Sequence, residues 1–185
     1  LLQCKEAGFP LRQIMGQTET SILLWASEEE SLRKPGTVGR PVFHAEVGIV
    51  TREGNTAKPG EVGEIVVRGS IMMKEYWQDP ARTEETIKNG WLKTGDVGHM
   101  DVDGYFTITD RKKDIIVVSG FKVFPNEIES VVAAHPGVLE CGAVGVPDPR
   151  TGEAVKVVVV KKDPNLTDDA VIDYCKTQLT AYKVP

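Results

Sequence analysis

The sequence lacks the patterns that mark membrane-spanning, nucleic-acid-binding and histidine-dependent metal proteins. Apolar runs such as Val157–Val160 are far shorter than the roughly 20 residues that a transmembrane helix needs. The formal net charge is −5 and no basic stripe is present to neutralise phosphates, which argues against a nucleic-acid partner. His44, His99 and His135 are scattered, and none has a partner at metal-ligand spacing. We therefore expect no transmembrane segment, no nucleic acid and no catalytic histidine.

Cysteine is also scarce, and its spacing fits neither a metal site nor a CxxC redox motif. The three cysteines, Cys4, Cys141 and Cys175, are odd in number. We expect free, reduced thiols and a cytoplasmic protein. With 185 residues, 41% of them hydrophobic and 26% charged, the chain is long enough for one globular domain or two small ones.

Turn and cap residues predict short strands and few helices in the first 111 residues. A helix over 1–7 would end at Gly8, a charged and Gly/Pro-rich surface loop would cover 28–41, and a helix capped by Asp79 would end at Asn89-Gly90. Strands are expected at 11–15, 44–51, 64–68, 91–93, 98–101 and 105–109. These strands would form a small sheet or an open, distorted barrel.

The pattern changes after Arg111, where charges cluster. A β-α-β-β-α unit is expected, with strands at 115–119, 138–146 and 153–161, a helix at 125–134, and a last helix capped by Thr167. We therefore predict an α+β fold with two parts, residues 1–111 and residues 112–185.

The stretch 90–129 has a higher density of polar and turn residues than an ordinary soluble core needs. Asp96 follows Thr-Gly, which predicts a tight turn whose fixed carboxylate can accept two adjacent hydroxyls, such as those of a ribose. Asp103-Gly104 predicts a hairpin because the pair tolerates positive φ. Five charged residues, 110–114, then precede the apolar run Ile115–Val118.

Several blocks of the sequence occur in the order of a known set of motifs. They are Met15–Glu19 (aromatic-Gly-x-Thr-Glu), Gly63–Gly69 with Lys74–Pro80 and Thr83 (GEI-x-x-x-G…GY-x-x-x-P-x-x-T), Gly90–Asp96 (G-W-x-x-T-G-D), and Asp110–Asp114 with Ser119–Val123 and Pro125–Glu129 (a hinge block). Together they resemble the adenylate-forming superfamily of acyl-CoA synthetases, adenylation domains of peptide synthetases and luciferases. The last block looks most like medium- and long-chain fatty acyl-CoA ligases, with aryl-CoA ligases close behind.

The resemblance implies a fold, a reaction and a set of ligands. Residues 1–111 would form the β-barrel-like end of a large AMP-binding domain, and residues 112–185 a mobile C-terminal domain. A carboxylic acid, first of all a fatty acid, would react with ATP to give an acyl-adenylate and pyrophosphate, and the thiol of CoA would then displace AMP. The cofactors would be ATP/AMP, Mg²⁺ and coenzyme A. Alternatives are an aryl-CoA ligase, an adenylation domain that loads a carrier-protein thiol, and a non-catalytic relative that only binds nucleotide.

The first motif would supply contacts to the nucleotide. Thr18 can donate to an α-phosphate oxygen and Glu19 can hold Mg²⁺, although a capped turn would use the same residue types. Gly16, placed in a turn, would allow close backbone approach, and Gln17 would offer main-chain contacts. Met15 departs from the usual aromatic residue; its thioether can cover adenine by dispersion, or it packs in the core.

The resemblance places Asp96 and Arg111 on the ribose. The alternative for Asp96 is an Asx interaction that stabilises a turn, and for Arg111 a surface salt bridge with Asp110 or Asp114. Ile108, three residues before Arg111, would pack near the nucleoside or simply in the core.

The hinge block would serve the second half-reaction. Lys113 aligns with the hinge residue around which the C-terminal domain changes pose. Gly120 would let a pantetheine arm pass its backbone, and Lys122 would meet charged ligand atoms as a catalytic residue or remain a solvated lysine.

Two family elements are missing from these residues: a phosphate loop upstream of the Gly-x-Thr-Glu motif and a lysine beyond a Tyr-Lys-Val-Pro-like sequence. We therefore expect a C-terminal fragment, truncated at both ends, that does not turn over alone. Peripheral membrane association is compatible with the sequence, which does not determine the oligomeric state.

Overall fold

A computed structural model describes residues 2–185, in which the chain divides between Thr109 and Asp110 into two compact units. We call the part up to Thr109 unit 1 and the part from Asp110 unit 2. Both units combine antiparallel strands with short helices, so the predicted α+β class is confirmed. The functional roles assigned to residues 1–111 and 112–185 stay predictions.

Unit 1 is built mainly of strands. Its helices are α1 (Leu2–Glu6), α2 (Glu28–Arg33) and α3 (Pro80–Thr86), and its strands are β1 (Gln13–Gln17), β2 (Ser21–Ala26), β3 (Arg40–Pro41), β4 (Ala45–Val50), β5 (Gly63–Gly69), β6 (Ile87–Lys88), β7 (Trp91–Met100) and β8 (Phe106–Arg111), the last of which runs two residues past the division. Strands β1, β2 and β3 form one sheet, β4, β5, β7 and β6 form another in that order, and β8 pairs with β7.

A backbone pairing of Gly39 with Phe106 links β8 to the residue just before β3, so the two sheets meet. They curl around a core formed by Met15, Leu23, Leu24, Ile49, Ile65 and Phe106. Burial of each such leucine contributes roughly 1.5–3 kcal/mol relative to exposure. The result is a curled, half-barrel sheet, as predicted.

The loop predicted over 28–41 was wrong in its first half, because residues Glu28–Arg33 form α2. Ser27 caps this helix: its hydroxyl accepts from the Glu30 amide at 3.2 Å, and the Glu30 carboxylate accepts from the Ser27 amide at 2.9 Å. This reciprocal pair is a capping box. The run of glutamates also suits the positive end of the helix dipole, so the charge run is a helix start rather than a loop.

The tight turn predicted at Asp96 was also wrong, since residues 91–100 form one continuous strand, β7. Gly95 has φ 75°. The pairing of β5 with β7 shifts register between Glu64 and Val66, so β7 accommodates the glycine as an irregularity and continues past it. Helix α3 ends at Thr86, earlier than predicted, because the next two residues pair with β7 as β6.

Unit 2 contains a four-stranded antiparallel sheet and two helices. The elements are β9 (Ile116–Val118), β10 (Phe121–Val123), α4 (Pro125–Ala133), β11 (Val138–Asp148), β12 (Gly152–Lys161) and α5 (Asp168–Gln178), with 3₁₀ turns at Lys112–Asp114 and Ala181–Lys183. The strand order is β10, β9, β12, β11. The predicted β-α-β-β-α order is confirmed, except that the sequence prediction missed the short strand β10.

One core joins the sheet of unit 2 to its helices. Ile128 and Val132 from α4 and Val171 and Cys175 from α5 are buried with apolar residues of the strands. Cys4, Cys141 and Cys175 are free thiols, as predicted, and burial raises the pKa of the Cys175 thiol. In residues 2–185 no helix is long and apolar enough to cross a membrane.

Candidate functional site

The first predicted motif lies where β1 turns into β2. Met15, Gly16 and Gln17 are the last residues of β1, and the turn that follows contains Thr18 and Glu19. The prediction that the turn begins at Gly16 was therefore wrong. Thr18 is exposed and Glu19 is half-buried, so both can be reached by a ligand.

Gly16 is required by the packing of the two strands themselves. A Cβ atom at this position would lie 2.2 Å from the carbonyl oxygen of Ser21 in β2, so no side chain fits. The pairing of β1 with β2 also shifts register between Met15 and Gly16. The prediction was that Gly16 lets a nucleotide approach the backbone closely. In the structure, the backbone of β2 approaches Gly16 closely.

Met15 and Ile108 lie in the same apolar cluster. Met15 is 7% exposed, and Ile108 is partly buried against the core to which Met15 belongs. This agrees with the core-packing alternative for both residues, and their contact with a nucleoside stays a prediction. The side-chain amide nitrogen of Gln17 is buried and has no hydrogen-bond partner within the described residues.

Glu19 is held by a segment that is distant in sequence. The Tyr76 hydroxyl donates to Oε1 of Glu19 at 2.8 Å, across 57 positions. The Met73 amide donates to the Glu19 carbonyl oxygen at 2.7 Å. Sequence reasoning placed Tyr76 in a motif but missed this contact, because a pairing over such a separation leaves no local pattern.

The charge and burial around Tyr76 keep its hydroxyl protonated. Burial raises the pKa of Tyr76, and its hydrogen bond to Glu19 raises it further. The Arg82 guanidinium lies 4.2 Å from the centre of the ring, a cation–π distance. The phenol is therefore a neutral donor to Glu19 at physiological pH.

The chemistry of Glu19 fits a magnesium ion shared with phosphates. Within residues 2–185, no group of three or more His, Cys, Asp or Glu is placed to hold a metal ion. Mg²⁺ commonly takes only one or two carboxylates and fills its other positions with water and substrate phosphates. One carboxylate with a bound Oε1 and a second oxygen, Oε2, meets that requirement.

Asp96 lies in β7, where the Thr94 hydroxyl fixes the backbone. Its amide donates to the Thr94 hydroxyl oxygen at 3.1 Å, and that hydroxyl donates to the Ile65 carbonyl oxygen at 2.8 Å. Asp96 is 6% exposed and lies within β7, not in the tight turn expected. Sequence reasoning did not identify the role of Thr94, and the contact of Asp96 with ribose stays a prediction.

The start of unit 2 contains a buried carboxylate that sequence reasoning did not single out. Asp110 is 5% exposed; it accepts from the Arg111 amide at 2.8 Å and from the Asn126 amide at 3.1 Å. Asn126 is in the first turn of α4, so Asp110 acts as the cap that Phe124, at the N-cap position, cannot provide. Arg111 and Lys113 are exposed, and their nucleotide and hinge roles stay predictions.

Gly120 and Lys122 belong to the β9–β10 hairpin of unit 2. Val118 pairs with Phe121, so Ser119 and Gly120 form a two-residue loop, with φ 50° and 85°. Positive φ at both positions is typical of a type I′ turn. A Cβ built on Gly120 would meet no atom within 4 Å, and Lys122 is exposed, so the predicted ligand contacts are sterically open.

Comparisons with known proteins agree with the motifs. Residues 2–77 match the AMP-binding enzyme family, and residues 127–185 match the AMP-binding enzyme C-terminal domain. The long-chain-fatty-acid–CoA ligase of Escherichia coli O157:H7 is 50% identical over 181 residues, covering 98% of this chain and 32% of that protein. The chain thus spans about a third of the length of such relatives.

Two solved structures of one enzyme are similar to the whole chain. The o-succinylbenzoate CoA synthetase of Bacillus subtilis with its acyl-adenylate intermediate has a TM-score of 0.89 at 39% identity, covering 100% of this chain and 38% of that one. The same enzyme with ATP and magnesium ion gives 0.87 at 39% identity, with the same coverage. From its motifs, fold and relatives, the chain belongs to the AMP-binding, adenylate-forming enzyme family.

Proposed function

We propose that the chain is part of an acyl-CoA synthetase that activates a long-chain fatty acid with ATP and transfers it to CoA. The observation that carries this proposal is the 50% identity to a long-chain-fatty-acid–CoA ligase over 98% of the chain. Reduced thiols, all three of them free, support a cytoplasmic location. The substrates would be the acid, ATP and CoA, and association with a membrane surface would bring the enzyme to its apolar substrate.

In the first half-reaction, a carboxylate oxygen of the acid bonds to the α-phosphorus of ATP and pyrophosphate leaves. Thr18 donates a hydrogen bond to an α-phosphate oxygen, and Glu19 would hold Mg²⁺, which would offset the negative charge on the phosphates. Asp96 accepts from ribose hydroxyls, and Arg111 donates to ribose or phosphate oxygens. The half-buried position of Glu19 and the exposure of Thr18 support the roles of these two residues.

In the second half-reaction, the CoA thiol loses its proton and its sulfur bonds to the acyl carbon, while the bond from that carbon to the phosphate oxygen breaks and AMP leaves. Lys113 acts as the hinge at which the C-terminal domain changes pose. The open space around Gly120 accommodates the pantetheine arm, and the exposed Lys122 meets charged ligand atoms. Exclusion of water from the acyl-adenylate in both poses protects the anhydride.

The test is ATP–pyrophosphate exchange by the protein at its natural full length, with long-chain fatty acids as the substrate. We expect acid-dependent exchange, CoA thioester formation, and a loss of exchange of roughly 100-fold or more in Glu19→Gln. Absence of exchange with any acid, in a folded protein that still binds AMP, would instead identify a non-catalytic nucleotide-binding relative.

An aryl-CoA ligase is the second candidate. It is favoured by the 39% identity and TM-score of 0.89 to the o-succinylbenzoate CoA synthetase. Exchange stimulated by aromatic acids and not by fatty acids would decide for it. Transfer of the acyl group to a carrier-protein thiol in preference to CoA would identify a peptide-synthetase-like acceptor.

A further inference from the structure

We propose that Tyr76 is a positioning residue that makes Glu19 a one-oxygen metal ligand and so favours Mg²⁺ over the larger Ca²⁺. The inference rests on the proposed function, in which Glu19 is the protein's carboxylate ligand to the ion. It goes further by assigning a role to a side chain outside the Thr-Glu turn.

The contact between the two residues fixes one oxygen of the carboxylate. The Tyr76 hydroxyl donates to Oε1 of Glu19 at 2.8 Å, the ordinary length of an O–H···O hydrogen bond. A hydrogen bond to an ionised acceptor is stronger than one between neutral groups. The phenol therefore occupies one lone-pair direction of Oε1, and Oε2 is the less engaged oxygen and the first to meet a cation.

The main chain of Glu19 is tied to the same segment. Its carbonyl oxygen accepts from the Met73 amide at 2.7 Å, three residues before Tyr76. Bonds at both the backbone and the carboxylate limit rotation of the side chain. The Thr-Glu turn is thereby positioned by the segment that leads into α3.

Tyr76 is itself held in place by α3. Its amide donates to the Thr83 hydroxyl oxygen at 2.9 Å, and that hydroxyl donates to the Asp79 carbonyl oxygen at 2.8 Å. The Asp79 carboxylate caps the helix by accepting from the Arg82 amide at 3.0 Å. Arg82 then covers the Tyr76 ring at 4.2 Å, which completes a rigid support for the hydroxyl.

The consequence for metal choice follows from coordination geometry. Mg²⁺ requires near-octahedral coordination at short distances and takes carboxylates through single oxygens, whereas Ca²⁺ accepts more ligands and readily binds both oxygens of one carboxylate. A Glu19 that presents Oε2 first, because the phenol engages Oε1, suits Mg²⁺. Removal of the Tyr76 hydroxyl takes this constraint off Oε1 and favours the two-oxygen mode.

The first experiment uses Tyr76→Phe in the full-length protein and measures pyrophosphate exchange against MgCl₂ concentration, with CaCl₂ as competitor. Loss of one hydrogen bond to a charged group should raise the half-saturating Mg²⁺ concentration roughly threefold to tenfold. The ratio of Ca²⁺ inhibition constant to Mg²⁺ half-saturation should fall by a similar factor. The KM for the acid should stay within about twofold, because the change acts on the metal ligand. A general loss of folded protein would lower the rate without changing metal preference.

Tyr105→Phe is a closely matched control. Tyr105 also donates to a glutamate, Oε1 of Glu30, at 2.8 Å and in the same unit, but Glu30 belongs to α2 and not to the Thr-Glu turn. This variant should keep the Mg²⁺ requirement and the Ca²⁺ ratio of the wild type. If both variants change the metal response equally, the effect is one of general stability and the inference is overturned.

A metal-free measurement tests the coupling without activity. Tyrosine ring resonances of the protein labelled with ¹³C-tyrosine, with Tyr76 assigned by its loss in Tyr76→Phe, report the pKa of Tyr76 by NMR titration. Glu19→Gln should lower the pKa of Tyr76, because the negative charge that favours the neutral phenol is gone. An unchanged pKa would show that the two groups do not interact in solution and would overturn the inference.

The two hypotheses fail in different ways. If the wild type exchanges no pyrophosphate, the proposed function fails and takes the metal role of Glu19 with it. If the wild type exchanges normally and Tyr76→Phe leaves the Mg²⁺ and Ca²⁺ responses unchanged, the proposed function stands and only the role of Tyr76 is wrong.

Discussion

At the scale of single residues, Glu30 shows how one carboxylate can stabilise several parts of unit 1. One oxygen accepts from the Ser27 amide at the start of α2 at 2.9 Å. The other accepts from Tyr105 at 2.8 Å and from Arg40 at 2.7 Å. These contacts, the Ser27 amide first and Tyr105 second, lower the pKa of Glu30 from 4.5 to about 2.

This lowered pKa predicts a specific dependence of stability on pH. The ionised form of Glu30 is favoured in the folded state, so its contribution is fully present above pH 4.5 and is lost as the pH falls from 4.5 to about 2. The free energy of unfolding should therefore fall more steeply in this range for the wild type than for Glu30→Gln. Urea unfolding at several pH values measures both; parallel curves would contradict the assignment.

Residue types were readable from the sequence, but long-range partners were not. Thr18, Glu19 and Asp96 stand out because polar residues occur beside glycine in recognisable spacing. The bonds of Tyr76 to Glu19 and of Tyr105 to Glu30 join residues 57 and 75 positions apart. Such contacts depend on how the strands of unit 1 curl, and no local pattern encodes that.

At the scale of elements, the stability of α4 depends on Asp110, which lies in the segment before β9. Its buried carboxylate accepts from the Arg111 and Asn126 amides, so Asp110→Ala removes this side-chain acceptor from the start of the helix. We expect unit 2 to lose about 1–3 kcal/mol of unfolding free energy. Asp110→Asn, which keeps one acceptor oxygen, should lose less, and both are measured by denaturant unfolding.

Thr167→Ala is the matched cap variant. The Thr167 hydroxyl oxygen accepts from the Ala170 amide at 3.2 Å at the exposed start of α5. Its loss should cost about 1 kcal/mol or less. If Thr167→Ala destabilises the protein more than Asp110→Ala, burial has not strengthened the Asp110 cap and our explanation is wrong.

The elements with clear caps were predicted well, and those set by pairing were not. Pro80 and Thr167 mark the starts of α3 and α5 because cap and first-turn residues act locally. The end of α3 was placed too late because pairing of Ile87-Lys88 with β7 overrides helix propensity. The single strand through Asp96 was missed because a glycine in the sequence indicates a turn, whereas β7 accommodates Gly95 at an irregularity in its pairing with β5.

At the scale of the whole molecule, the proposed two-step reaction predicts separable half-reactions. Lys113 lies in the exposed 3₁₀ turn Lys112–Asp114, and a proline there restricts backbone rotation. In the full-length protein, Lys113→Pro should spare one half-reaction and suppress the other by roughly 10-fold or more. Pyrophosphate exchange and CoA thioester formation from the preformed acyl-adenylate measure the two steps separately.

Lys113→Ala is the control for charge. It removes the ammonium group and leaves the backbone free to rotate, so both half-reactions should persist. An equal loss of both steps in Lys113→Pro, with circular dichroism and unfolding unchanged, would argue against a hinge at this position.

The two-residue loop of the β9–β10 hairpin also restricts how the protein can vary in length. Consecutive strand residues point to opposite sides, so the exposed Lys122 and the fully buried Val123 depend on the number of residues in the loop. The Ser119 amide, which donates to the Thr151 carbonyl oxygen at 2.8 Å, anchors the tip from outside. One inserted residue would turn an ammonium group into the apolar interior, so peptide tags and loop grafts belong elsewhere on the surface.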